Sequence, residues 1–210
     1  MLKRKLFTIA MVIFGLTSVL IMSSCASTQD LPSTFSMSEE KYEDMIEIYS
    51  DQSQKYDGPY NVLEVSATIL NSHVLEAQTL RQATVFQWDK AKYQSELIAK
   101  QKHADEKTEV FVSFYTPDKK TSDLARTDTL WKLILKFNGK EYQGSPKKLT
   151  GLPVEIKSLY PRHTRWGTPY LLSFDIPTKE AEKQIAELIL TGPAGNTILK
   201  FHAVNSTQTN

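Results

Sequence analysis

Two hydrophobic rhythms alternate along the chain from residue 38 onward, and they predict its elements. Ser38 followed by Glu39, Glu40 and Lys41 has the make-up of a helix start, with carboxylates where the helix dipole favours them. Tyr42, Met45, Ile46 and Tyr49 then recur at helical spacing, which predicts one amphipathic helix up to about Lys55. Asp57-Gly58-Pro59 ends it. Residues 60–70 alternate instead, with Leu63, Val65, Ala67 and Ile69 on one side, as in a half-buried strand. Asn71 and Ser72 offer caps, and residues 73–102 contain neither Gly nor Pro, so helix is expected there. Ala83, Phe86, Lys90, Tyr93 and Leu97 trace one face. Trp88 falls off that face and Asp89 can cap a second helix, so one rod and a bent pair both fit, either packed on the domain or projecting from it. Residues 100–109 mix both charge signs and read as a solvated helix end or loop.

Beyond residue 107 the rhythm becomes that of strands. Residues 109–115 are aromatic and β-branched, Thr116-Pro117-Asp118 turns the chain, and residues 130–137 alternate. Asn138-Gly139 is the strongest hairpin signal, with residues 140–143 as the return strand. Residues 154–159, 170–176, 187–191 and 197–201 read as further short strands, the last two joined by Gly192-Pro193-Ala194-Gly195-Asn196, and residues 178–184 as a helical turn in a crossover. Seven or eight strands without a βαβ rhythm predict a mostly β (α+β) fold. The expected form is an antiparallel immunoglobulin-like β-sandwich with an N-terminal helix and a helical insertion after its first strand.

The N-terminus follows a different pattern. Lys3, Arg4 and Lys5 precede an uncharged apolar run over residues 6–22, and the small residues Ser23 and Ser24 lead into Cys25, the chain's one cysteine. That order describes a secretory signal peptide, and the run is short of the roughly 20 residues of a comfortable membrane span. Met22-Ser23-Ser24-Cys25 resembles the lipobox of bacterial lipoproteins, with Met22 where that family usually carries leucine. The resemblance implies cleavage before Cys25 and acylation of its thiol; without it, Cys25 is the leftover thiol of a plain secreted protein. Ala26, where family members retained in the inner membrane carry aspartate, implies the outer membrane of a Gram-negative host. The expected division is a signal peptide over 1–24, a lipidated tether over 25–37, one domain over 38–204 and a frayed tail over 205–210. Phe-Tyr-Thr-Pro-Asp (114–118), Trp131, Tyr160-Pro161 and Leu-x-Gly-Pro-x-Gly (190–195) are together similar to a scattered set of uncharacterised bacterial envelope lipoproteins, a likeness that carries no activity.

Charge alters this picture once the signal is set aside. It takes three of the 25 basic residues and none of the 24 acidic ones, leaving about −2 on a mature chain of 186 residues. No cationic excess remains for nucleic acid. A chain of this length suits one domain, and with one cysteine its stability comes from an apolar core.

Candidate chemistry is sparse. Ser38-Glu39-Glu40-Lys41 and Ser145-Pro146-Lys147-Lys148 have the Ser-x-x-Lys spacing of penicillin-interacting enzymes, but 18 serines and 20 lysines produce such matches by chance, and the companion elements are missing. His73, His103, His163 and His202 lie in different elements, so no metal site and no cofactor are assigned. Asp123 and Asp128, with Arg126 between them, and Asp175 and Glu187 read as loop and strand-edge charges, so no catalytic residue is assigned. The segment singled out is the connection 160–170. Arg162, His163, Arg165, Trp166 and Tyr170 are of the types enriched at binding hot spots, and arginine forks onto carboxylate or phosphate. The same Pro- and Gly-rich segment also describes a rigid turn whose aromatics cap the core, placed at one end of the sandwich.

The sequence therefore points to a non-enzymatic, lipid-anchored domain on the periplasmic side of the outer membrane, with a structural or accessory role and an envelope protein or other envelope component as its partner. The alternative is a glycan, peptidoglycan or small-ligand module using residues 160–170; an envelope hydrolase stands third.

Overall fold

The computed structural model describes residues 36–204. The expected signal peptide, Cys25, most of the expected tether and the expected frayed tail over 205–210 lie outside the described residues. Backbone contacts divide the chain into Met1–Ser33 and Thr34–Asn210, and every described residue belongs to the second unit.

Two antiparallel sheets form the framework. Sheet A runs in the order β1 (Ser50–Asp57), β2 (Tyr60–Ile69), β3 (Thr108–Tyr115), β7 (Thr168–Phe174), β6 (Ser145–Lys148); sheet B runs β5 (Lys140–Gln143), β4 (Lys132–Phe137), β8 (Ala186–Gly192), β9 (Gly195–Phe201). Val65, Val112, Phe114, Tyr170, Leu172 and Phe174 of sheet A meet Leu133, Leu135, Leu188, Leu190, Leu199 and Phe201 of sheet B in one buried core. Phe114 meets Trp131 edge to face, with centroids 5.0 Å apart. The fold is thus α+β, with the expected antiparallel sandwich at its centre.

Residues 140–148 pass from one sheet to the other, pairing as β5 with β4 and as β6 with β7. The crossing is at Gly144, whose N–H donates to Leu133 O at 2.8 Å. A Cβ there would stand 2.8 Å from the Phe174 ring, so glycine is what lets the strand bend across the core. At the opposite edge the Lys200 N–H of β9 donates to Asp51 Oδ2 of β1 at 2.8 Å.

Helices cover the outer face of sheet A. In α1 (Glu39–Ile48), capped by the Ser38 side chain, Tyr42 and Ile46 are buried. α2 (Ser72–Val85) starts on Asn71, whose Oδ1 accepts from Val74 N at 2.9 Å, and buries Val74, Leu75, Ala77 and Ala83. α3 (Lys90–Ala104) starts on Asp89 and has no fully buried residue. Between them Gln87 takes φ +52°, and Trp88 N donates back to Ala83 O. That is the left-handed helix stop usually given to glycine. The insertion is therefore a bent pair: its first helix packs on the sheet and its second rides outside. Among the described residues no helix is long and apolar enough to cross a membrane.

Several expectations are corrected. The first helix stops at Ile48, and residues 50–57 form β1, hairpinned to β2 through Gly58-Pro59. Its Ser-Asp-Gln-Ser-Gln stretch lacks the apolar stripe a helix would bury, and Ser50 Oγ bonds both Ile46 O and Thr68 Oγ1 across the junction. The insertion consequently follows the second strand. Residues 154–159 are no strand but belong to α4 (Pro153–Leu159), with Pro at the first helical position and the Glu155 carboxylate accepting from Leu152 N at 3.2 Å. β6 was unforeseen, since Pro146 argues against a strand except at a sheet edge, which is where β6 lies. Helix α3 ends at Ala104, inside the charged stretch 100–109 that reads as a solvated helix end or loop. The other expected strands are present, the Asn138-Gly139 turn has both residues at positive φ, and α5 (Thr178–Ala181) is the expected single helical turn.

Candidate functional site

The connection from β6 to β7 folds back over the outer face of sheet A instead of standing at an end of the sandwich. Tyr160 stacks on Phe111 with centroids 3.8 Å apart and nearly parallel rings. His163 meets Phe111 edge to face and places Nδ1 2.9 Å from Ser113 Oγ, which also accepts from Thr164 N at 3.3 Å. Gly167 comes down beside the same hydroxyl, where a Cβ would lie 2.2 Å from Ser113 Oγ. One outward-facing serine in β3 therefore pins the base of the loop. Burial, then the nearby Lys157 charge, lowers the His163 pKa from its ordinary value.

Above this floor lies an open cleft of about 1030 Å³. One wall is the segment ending in α4 (Leu149, Gly151, Pro153, Ile156, Lys157); the other is Arg162, His163, Thr164, Arg165 and Gly167. The Lys157 ammonium donates to Pro161 O and to His163 O, tying the walls together. Arg162 reaches Glu47 of α1 at 3.6 Å. The Arg165 guanidinium lies over the Trp166 ring, 4.4 Å from its centroid. Among the described residues no carboxylate lines the cleft, but Glu47 beside it offsets Arg162, so the positive field against the apolar walls is chiefly that of Lys157 and Arg165. Such a site takes an acidic group: a stacked guanidinium is already oriented for two-pronged donation to carboxylate or phosphate.

The singled-out residues separate. Arg162, His163 and Arg165 share the cleft, whereas Trp166, 66% exposed, turns toward an adjoining hollow with Tyr115, Lys119 and Thr168. Tyr170 is wholly buried between the sheets, where its hydroxyl donates to Asp123 Oδ1 at 3.0 Å and accepts from Leu124 N; it holds the 116–131 connection and offers nothing to a ligand. Lys157 and the α4 wall escaped the sequence reading, although Leu-Pro-Val-Glu carries a helix-start signal in Pro153 and Glu155.

The remaining candidates do not converge. His73 bonds Tyr49, His103 pairs with Glu109 and His163 bonds Ser113; among the described residues no three potential metal ligands come together. Asp128 pairs with Arg126, Asp175 with Lys107 and Glu187 with Lys200. Ser38 caps α1 and Ser145 opens β6. No protein-family model, curated protein or solved structure matches the chain.

Proposed function

We propose that this chain is a lipid-anchored, non-enzymatic recognition domain, held through Cys25 on the periplasmic side of the outer membrane, whose 149–169 cleft holds the acidic group of another envelope component. The observation that carries the reading is the cleft itself: Lys157 and Arg165 with an Arg162 already paired to Glu47, apolar walls, no carboxylate among the described lining residues and a loop base pinned to β3. The strand order β5-β4-β8-β9 against β1-β2-β3-β7-β6 supports an immunoglobulin-like sandwich enlarged by β3, which the helical insertion delivers between β2 and β7.

The test is crosslinking and pulldown of the intact chain from its own membranes, beside the triple variant Lys157→Ala, Arg162→Ala and Arg165→Ala. The variant is expected to lose the partner; because Lys157 also ties the walls, Arg165→Ala alone is carried beside it and is expected to weaken capture while keeping the thermal transition. Identical capture by the intact chain and both variants would sink the reading.

A second reading rests on Trp166, an exposed ring beside Arg165 that suits stacking against sugar faces. Under it the acidic component is a glycan such as peptidoglycan. Retention of the purified full-length chain on isolated peptidoglycan, lost on Trp166→Ala, would favour this over a protein partner.

A further inference from the structure

The ridge between the cleft and the helical layer carries an unusual tip. Residues 151–154, Gly-Leu-Pro-Val, are all exposed, Leu152 and Val154 at 61% and 71%. Runs of exposed apolar residues this long are kept only where they serve a contact. Across a groove of about 440 Å³ from Val154 stand Val85 and Phe86 at the end of α2, 51% and 60% exposed. The Gln87 stop holds Phe86 outward, stacked on Trp88, with the Lys92 ammonium 5.7 Å from the indole. Apolar tips with an aromatic pair and flanking ammonium groups match the interface between hydrocarbon and headgroups.

Two further observations identify what covers this ridge. The first is where the chain enters. Met37 N donates to Thr84 Oγ1 at 3.2 Å and Met37 O accepts from Arg81, a residue of the groove wall, so the first described residues of the domain lie beside the patch. The twelve residues from Cys25 to Met37 reach at most ~40 Å, which confines an anchored domain to the bilayer's neighbourhood. At that effective concentration a contact too weak to hold a free domain suffices. The second is charge. Lys157 and Arg165 lie just across α4, Arg162 and Arg81 are paired with Glu47 and Glu39, and the further exposed carboxylates Glu40, Glu43 and Asp44 stand on α1 rather than on the ridge.

We infer that the 151–154 tip and the Val85-Phe86 corner rest in the interfacial layer of a bilayer bearing anionic phospholipid, with the cleft opening at headgroup level. The inference rests on the anchor reading and adds an orientation: the corner of the helical layer that bears residues 85–86 and 151–154 faces the membrane, and sheet B faces away from it.

The experiment uses the full-length chain extracted from membranes and reconstituted into vesicles of phosphatidylcholine with and without phosphatidylglycerol. Its mass first reports whether Cys25 is acylated; an unmodified Cys25 overturns the anchor reading on its own. In the acylated chain a single new thiol at Val154→Cys, at Val85→Cys or, on the far sheet, at Ile198→Cys takes a polarity-sensitive fluorophore. Labels at 154 and 85 are expected to shift to the blue in vesicles containing phosphatidylglycerol, while the label at 198 stays water-like. Equal emission from all three positions in an acylated chain overturns the inference. So does a shift at 154 that vanishes on diluting protein among vesicles at constant lipid, because the occupant is then a second copy of the chain.

Discussion

Sheet A and sheet B are built from similar strands but live in different surroundings. Sheet B buries one face, and its strands show it: β4, β8 and β9 alternate buried and accessible positions almost without a break. Sheet A is enclosed twice, by sheet B within and by α1, α2 and the 160–167 loop outside. The second half of β2 and the middle of β3 are accordingly buried at consecutive positions. A strand covered on both faces loses the period of two that marks a strand covered on one. What it gains is a second surface, and Phe111 and Ser113 on that outer face hold the 160–167 loop.

The two sheets differ most at Phe111. Truncating this wholly buried ring removes the stack under Tyr160, and Phe111→Ala is expected to cost about 3–5 kcal/mol in denaturant unfolding. Its counterpart on the open face of sheet B, Ile198→Ala, should stay within about 0.5–1 kcal/mol, because that side chain is half exposed. Equal losses at the two positions would mean that the helical layer is not packed on sheet A. A smaller effect is expected where the sheets are joined. Gly144→Ala drives a methyl into Phe174 and toward Leu133 O, and about 1–3 kcal/mol should be lost, measured in the same way. An unchanged midpoint would show that residues 140–148 bend elsewhere.

The smallest effect concerns protons. Burial lowers the His163 pKa, so the folded state binds this proton less readily than the unfolded chain, whose histidine titrates near the ordinary ~6.5. The stability that His163 contributes is therefore complete above that value and is lost as the pH falls through it toward the lower folded pKa. His163→Gln should flatten this part of the stability profile between about pH 8 and 5 without abolishing the fold. A profile unaltered by the substitution would show that the loop base carries no such linkage.

The same difference between the sheets explains which parts of the molecule were legible beforehand. Alternation announced β4 and also β2, which reads as half-buried but whose polar Ser66 and Thr68 are buried under the helical layer, and Asn138-Gly139 fixed a hairpin by backbone geometry alone. β1 did not announce itself, because the whole of its strand character comes from pairing with β2. α4 was misread because Val154, Ile156 and Ser158 alternate across so few residues that two periods fit. At the site, the cations of residues 162–165 were visible from composition, but their opposite wall came from a different stretch and needed the fold to arrive. Tyr170 was misassigned although parity with Leu172 and Phe174 placed it on the inner face; its phenol drew attention that its position in the strand did not justify.

The Asp51–Lys200 contact also bears on how any partner can bind. Open sheet edges invite a visiting strand, either a peptide ligand or another copy of the same protein on the way to a fibril. Here one edge of each sheet is continued into the other by residues 140–148, and at the far side the Asp51 carboxylate occupies a backbone donor of β9. Strand invasion at that point would have to displace a charged hydrogen bond. Recruitment by backbone complementarity is thereby discouraged, and discrimination between visitors falls to side chains on the helical side.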